Sequence, residues 1–131
     1  MTHATKPRIL VVDDDADSQE LYVEILKWGG FDVCTAGDGV SAVTAAAEQR
    51  PHAVLLDIQM PRKDGLAVLA DLRSRPATAR IPVIALTGFS EAADRARVTG
   101  GFAQVLEKPC DPRSLIQTVQ RALKLTPETQ V

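Results

Sequence analysis

Several features that would direct a function elsewhere are missing or scarce in this sequence. Its 131 residues hold only two cysteines, Cys34 and Cys110, and these form neither a CxxC pair nor any other metal-ligand spacing. They read as buried or incidental free thiols, which suits a reducing cytoplasm. No apolar run approaches the roughly 18 residues that a membrane-spanning helix requires. The opening MTHATKPR has no apolar core of a secretion signal. An excess of positive charge is absent too. Fifteen Lys and Arg stand against seventeen Asp and Glu, a net charge of −2, which argues against a nucleic-acid-binding surface. Low-complexity tracts, long linkers and internal repeats are not found. With 45% apolar and 24% charged residues, the chain reads as one soluble cytoplasmic domain spanning 1–131, with a core from about Arg8 to Lys124 and short polar tails.

What the sequence does contain is an alternation. Ile9 to Val12 is a short continuous apolar run, the pattern of a strand buried on both faces. From Asp17 to Trp28 the period becomes helical, with Leu21, Ile25 and Trp28 as its apolar stripe, and Gly29-Gly30 ends it. Phe31 to Ala36 alternates as a second strand, with Phe31, Val33 and Thr35 on one side. The alanine-rich SAVTAAAEQR is a strong helix former that stops before Pro51. Ala53 to Leu56 is a third strand, and Leu66, Leu69 and Leu72 mark a helix running to about Arg73. Pro82 to Leu86 is a fourth strand, with the proline where a missing N–H costs least. Ser90 to Thr99 is a poorly amphipathic helix, apolar mainly through alanines and Val98, and is expected to be the least firmly docked. Ala103 to Leu106 is a fifth strand. Asp111 caps a last helix that has Pro112 in its first position and buries Leu115, Val119, Ala122 and Leu123. Five β-α repeats imply parallel pairing with helices on both faces, an open doubly wound α/β sandwich.

In such a sheet, ligands bind beyond the carboxyl ends of the strands. Those ends carry Asp13 and Asp14, then Asp57, then Thr87, then Lys108, whereas the second strand ends blandly in Ala36-Gly37. An aspartate at the mouth of a buried strand is costly unless it is solvated, paired or metal-bound. Three carboxylates together also raise one another's pKa unless a cation is present. Oxygen donors without clustered His or Cys suit a hard ion, and Mg2+ before others. The Thr87 hydroxyl and the Lys108 ammonium suit phosphate oxygens. A carboxylate nucleophile, a metal, a hydroxyl and a cation together equip a site for phosphoryl transfer onto a carboxylate.

The segments VVDDD, LLDIQMPRKDG, ALTG and EKP, in this order and at these separations, resemble the receiver domain of two-component response regulators. The resemblance covers about Arg8 to Lys124. It implies the flavodoxin-like (βα)5 fold with strand order 2-1-3-4-5, which would set Asp13 and Asp14 beside Asp57. It further implies that Asp57 is phosphorylated by a histidine kinase or a histidine phosphotransfer protein. By the same resemblance, Asp14, Asp57 and the backbone carbonyl of Gln59 would coordinate Mg2+, with Asp13 acting through water. Thr87 would bond one phosphoryl oxygen and move inward on phosphorylation, and Lys108 would pair with another. The Lys108–Pro109 bond would be cis, and Gly88 would leave the phosphate accessible.

Other polar residues read more plainly. Asp15 and Asp17 are solvated charges or a cap for the first helix. Met60-Pro61 and Asp64-Gly65 are loop and helix-start chemistry, and Arg62 and Lys63 are solvated. His3 and His52 are exposed or loop histidines, and Tyr22 and Trp28 are packing residues. Two departures from the family stand out. Val105 occupies the position where many receivers carry Tyr or Phe, so the aromatic half of the usual switch is missing. The stretch from Thr87 to Lys108 is about one residue short, near Gly100. Signalling is therefore expected to rest on loop and helix repositioning. The expected output is a protein partner, without direct nucleic-acid contact or membrane insertion, since nothing after Lys124 could form a DNA-binding domain. The alternatives are a pseudo-receiver used only for binding, a receiver belonging to a hybrid histidine kinase, and a small phosphatase. The last would want an acid where Gln59 stands, and a substrate cap.

Overall fold

The computed structural model describes residues 6–59 and 65–124. The readings of His3, of residues 60–64 and of the tail LTPETQV lie outside the described residues. Five strands, β1 (Arg8–Val12), β2 (Asp32–Ala36), β3 (Ala53–Asp57), β4 (Val83–Thr87) and β5 (Gln104–Glu107), alternate with five helices. These are α1 (Ala16–Trp28), α2 (Gly39–Gln49), α3 (Gly65–Ser74), α4 (Ser90–Thr99) and α5 (Pro112–Lys124). All strand pairs are parallel and the order is β2-β1-β3-β4-β5. This is the flavodoxin-like doubly wound arrangement.

The central strands explain the two-sided core. Successive residues of a strand point to opposite faces, so Ile9 and Val11 of β1, and Ala53 and Leu55 of β3, meet α1 and α5. Leu10, Val12, Val54 and Leu56 point the other way and pack with α2, α3 and Ala96 of α4. Apolar demand on both faces is why these strands read as unbroken apolar runs. β1 and β3 run parallel, and the order in which strands are added to the sheet reverses between them. Their register sets Val12 opposite Leu56, which brings the residues following each strand together at one end of the sheet.

One packing expectation needs correction, the apolar stripe of α1. The buried face of α1 runs through Tyr22 and Leu26, whereas Leu21 is 55% exposed and Trp28 is 79% exposed. Residues 21, 22, 23, 25, 26 and 28 are all apolar, so two stripes overlap on this helix. Docking on the sheet selects the one through Leu26. In α4 the buried residues are Ala93 and Ala96, and Val98 points into solvent at 88% exposure. Two alanine methyls are a small apolar payload, in keeping with a lightly docked helix. Phe31, just before β2, is buried and Val33 half-buried, while Thr35 is exposed on this edge strand.

The helix ends follow the sequence signals. Asp15, Asp38 and Asp111 accept the backbone N–H of Ser18, Ser41 and Ser114, at 2.9, 2.7 and 2.8 Å. Arg73, near the end of α3, donates to the carbonyls of Ala79, Ile81 and Gly101 and so ties α3 to the start of β4 and the α4–β5 connection. At Gly65 a Cβ would overlap Cα and Cβ of Ile58, so the residue opening α3 has to be glycine for the chain to pass so close to the end of β3. Among the described residues no helix is long and apolar enough to cross a membrane.

Candidate functional site

Asp13, Asp14, Asp57, Thr87 and Lys108 converge where the strand ends meet. Each of Asp13, Asp14 and Asp57 offers a carboxylate oxygen, and these atoms lie within 4.8 Å of one another. Asp13 and Asp57 are buried at 2% and 8% exposure, while Asp14 is exposed. Burial raises the pKa of Asp13, and the neighbouring charges of Asp57 and Asp14 push it the same way; the bond from the Asp15 N–H and the charge of Lys108 oppose the shift. One oxygen of Asp13 accepts that Asp15 N–H at 2.9 Å. The other, Oδ2, is buried with no hydrogen-bond partner among the described residues. A buried carboxylate oxygen left open beside two further carboxylates fits a bound hard cation, because an unmet buried acceptor is otherwise costly.

Asp57 closes β3 with both oxygens engaged. Oδ1 accepts the backbone N–H of Gln59 at 2.9 Å, and Oδ2 pairs with Lys108 Nζ at 3.4 Å. Lys108 follows β5 directly, and its backbone N–H donates to the Thr87 carbonyl at 2.7 Å. This holds the ends of β4 and β5 together. The Lys108–Pro109 bond is cis, as the resemblance implies. Thr87 is fully buried at the end of β4.

Four contributions are not visible as motifs. The Tyr22 ring lies 5.9 Å from Lys108 Nζ and forms a face for the ammonium. Burial first, then the charges of Cys110, Asp13 and Asp57, push the Tyr22 phenol up to about 12. Gln19 donates its amide to the carbonyls of Asp13 and Ala36, at 3.2 and 3.1 Å, pinning the segment after β1. The Gln59 side chain, beyond any role of its carbonyl, accepts the Thr87 hydroxyl at 2.8 Å. That same hydroxyl accepts the Phe89 N–H at 3.2 Å. Tyr22 could have been suspected from its position on the helix following the Asp13 loop. The two glutamines give no sequence signal, because their roles depend on where their side chains reach.

Asp15 is a helix cap and Asp17 is exposed. His52 is an exposed loop residue whose Nδ1 accepts the Arg8 N–H at 3.0 Å. Cys34 and Cys110 are free and half-buried.

A family profile described as the response regulator receiver domain matches residues 9–120. The transcriptional regulatory protein PrrA of Mycobacterium tuberculosis is 40% identical over 124 residues, covering 94% of this chain and 52% of that protein. The DNA-binding response regulator MtrA of the same organism is 37% identical over 120 residues, covering 91% of this chain and 51% of that protein. The chain thus spans about half the length of these relatives. Among solved structures, the receiver domain of a sensor histidine kinase from Pseudomonas aeruginosa has a TM-score of 0.83 at 31% identity, covering 91% of this chain and 98% of its own. That crystal structure has a magnesium ion coordinated in the active-site cleft. A chemotaxis response regulator from Vibrio cholerae has a TM-score of 0.81 at 28% identity, covering 90% of this chain and 99% of its own.

Proposed function

Because the chain belongs to the response regulator receiver domain family, we propose that Asp57 accepts a phosphoryl group from a phosphohistidine on a histidine kinase or a histidine phosphotransfer protein. The observation that carries this reading is the buried Asp57 carboxylate, paired with Lys108 and flanked by Asp13 and Asp14 within ligand distance. A carboxylate oxygen of Asp57 forms the bond to phosphorus while the phosphorus–nitrogen bond of the donor breaks. Its electron pair leaves with the imidazole, which is reprotonated from solvent.

Such a transfer asks little covalent chemistry of the protein and much positioning and charge neutralisation. The Gln59 N–H fixes the rotation of the Asp57 carboxylate. Lys108 stands ready to follow the negative charge from Asp57 onto a phosphoryl oxygen, and Thr87 supplies a hydroxyl for another. Asp14, Asp57 and the backbone carbonyl of Gln59 would hold Mg2+, with Asp13 acting through water. Bound there, the ion offsets the negative charge of the carboxylates and of the phosphoryl oxygens. The magnesium site of the Pseudomonas receiver and the open buried oxygen of Asp13 support this assignment.

The domain is regulatory. On this reading it catalyses only its own phosphorylation and the slower hydrolysis that resets it, and it works in the cytoplasm beside its phosphodonor. Phosphorylation changes its contacts with a downstream protein. A net charge of −2 gives this domain itself no electrostatic reason to hold nucleic acid, although the longer relative MtrA is named for DNA binding.

Incubation with acetyl phosphate and Mg2+, followed by intact mass measurement, tests the reading. One added phosphoryl group is expected, with none after chelation of the metal and none in Asp57→Asn. Equal labelling of Asp57→Asn would overturn it.

A further inference from the structure

Both capacities of the Thr87 hydroxyl are in use. It accepts the Phe89 N–H at 3.2 Å and gives its proton to Gln59 Oε1 at 2.8 Å. A hydroxyl has one proton to donate. It cannot serve Gln59 and a phosphoryl oxygen on Asp57 at the same time.

The acceptor side of the hydroxyl matters as much. Phe89 is the N-cap residue of α4, and its side chain makes no capping hydrogen bond. The bond from its N–H to Thr87 is therefore a polar tie between the end of β4 and the start of a helix that buries only Ala93 and Ala96. Gln59 is in turn fixed to the acceptor residue, since its own N–H donates to Asp57 Oδ1. Asp57, Gln59, Thr87 and Phe89 thus form one hydrogen-bonded chain from the acceptor carboxylate to α4.

We propose that the Gln59 side chain is a resting-state latch: it holds the Thr87 hydroxyl until a phosphoryl group on Asp57 takes that proton, and its release repositions the start of α4. This rests on the reading of Asp57 as phosphoacceptor and deepens it. A device of this kind needs no aromatic ring on β5, where Val105 lies opposite Ala85 and packs against the core. The released amide also has somewhere to go. Gln59 and Phe89 border a cleft of about 300 Å3 whose walls include Leu66, Glu91 and Arg95. Arg95 offers donors and Glu91 an acceptor for a primary amide.

Beryllofluoride with Mg2+, a mimic of the phosphoryl group, is the probe. Its affinity is read by backbone and side-chain amide NMR in the wild type, Gln59→Leu, Thr87→Val and the double variant. Removing one competing hydrogen bond should tighten binding in Gln59→Leu by about threefold to tenfold. The gain should vanish when Thr87→Val is already present. In the wild type, the Gln59 side-chain amide and the Phe89 backbone amide should both shift on binding. In unliganded Gln59→Leu, the Phe89 amide should already lie part of the way toward its bound position. Gln59 is exposed, so its replacement leaves the core intact and this last readout stands even if Thr87→Val folds poorly. Unchanged affinity in Gln59→Leu, an equal gain in the Thr87→Val background, or an unmoved Phe89 amide would overturn the latch while leaving Asp57 as acceptor. Absence of binding to all four proteins would overturn both.

Discussion

The ammonium of Lys108 sits over the face of Tyr22, 5.9 Å from the ring centre, and pairs with Asp57 at 3.4 Å. The second distance is long for a charge-assisted bond. The aromatic face therefore shares in holding the lysine where a phosphoryl oxygen would arrive. Tyr22→Leu keeps the apolar bulk in the core and removes the ring. A cation–π contact of about 0.5–1 kcal/mol converts to a fall of about twofold to fivefold in phosphorylation rate from acetyl phosphate. Thermal stability, measured alongside, separates this from a packing defect.

Gly65 is set by proximity and not by an unusual backbone angle. Any Cβ there meets Ile58, which lies one residue beyond Asp57. Gly65→Ala should destabilise the protein by about 1–3 kcal/mol through overpacking. Urea unfolding checks this, and an unchanged midpoint would mean that α3 can start slightly farther from the sheet.

The strand ends were legible in the sequence because the physics there is local. A strand buried on both faces must be apolar throughout, so the first polar residue after Val12, Leu56 or Leu86 announces the rim of the sheet, and on the edge strand β5 the apolar pair Val105-Leu106 marks it. That is enough to collect Asp13, Asp57, Thr87 and, two residues after Leu106, Lys108 in one place. Capping was legible for the same reason: Asp15 and Asp111 stand three residues before a serine whose N–H they accept. The face of α1 was not legible. Tyr22 and Leu26 compete with Leu21, Ile25 and Trp28 for the same sheet, and only the docked geometry chooses. The bonds of Gln19 and Gln59 were hidden for another reason. Each spans a gap between strand ends that are distant in sequence, and no residue pattern records where a flexible amide finds its partner.

The pH dependence of stability has an identifiable contributor at the start of α5. Hydrogen bonds from the backbone and side chain of Ser114 lower the pKa of Asp111 from 3.8. A carboxyl group depressed on folding stabilises the native state at pH above 3.8 and loses that contribution as the pH falls through its lower folded value. The stability difference between the wild type and Asp111→Ala should therefore be full at pH 7 and should shrink below pH 3.8. Paired thermal melts across that range check it, and a difference independent of pH would place the effect in helix propensity.

The two thiols should be sluggish. Burial is the largest influence on Cys34 and on Cys110, and it raises the pKa of both above the ordinary thiol value. Because the thiolate is the reactive form, alkylation by iodoacetamide at pH 7.5 should be slower than that of a free cysteine for both residues. Labelling as fast as the free amino acid would show that the segments around them open readily.

The identity of the phosphorylated residue is the point on which the rest depends. After reaction with acetyl phosphate and Mg2+, borohydride reduces an acyl phosphate to the alcohol, so a phosphorylated aspartate appears as homoserine in peptide mass spectra. Homoserine at position 57, and at no other aspartate, is the expected result. Homoserine at Asp13 or Asp14 instead, or phosphoryl groups surviving on another residue type, would contradict the assignment of Asp57 as the acceptor.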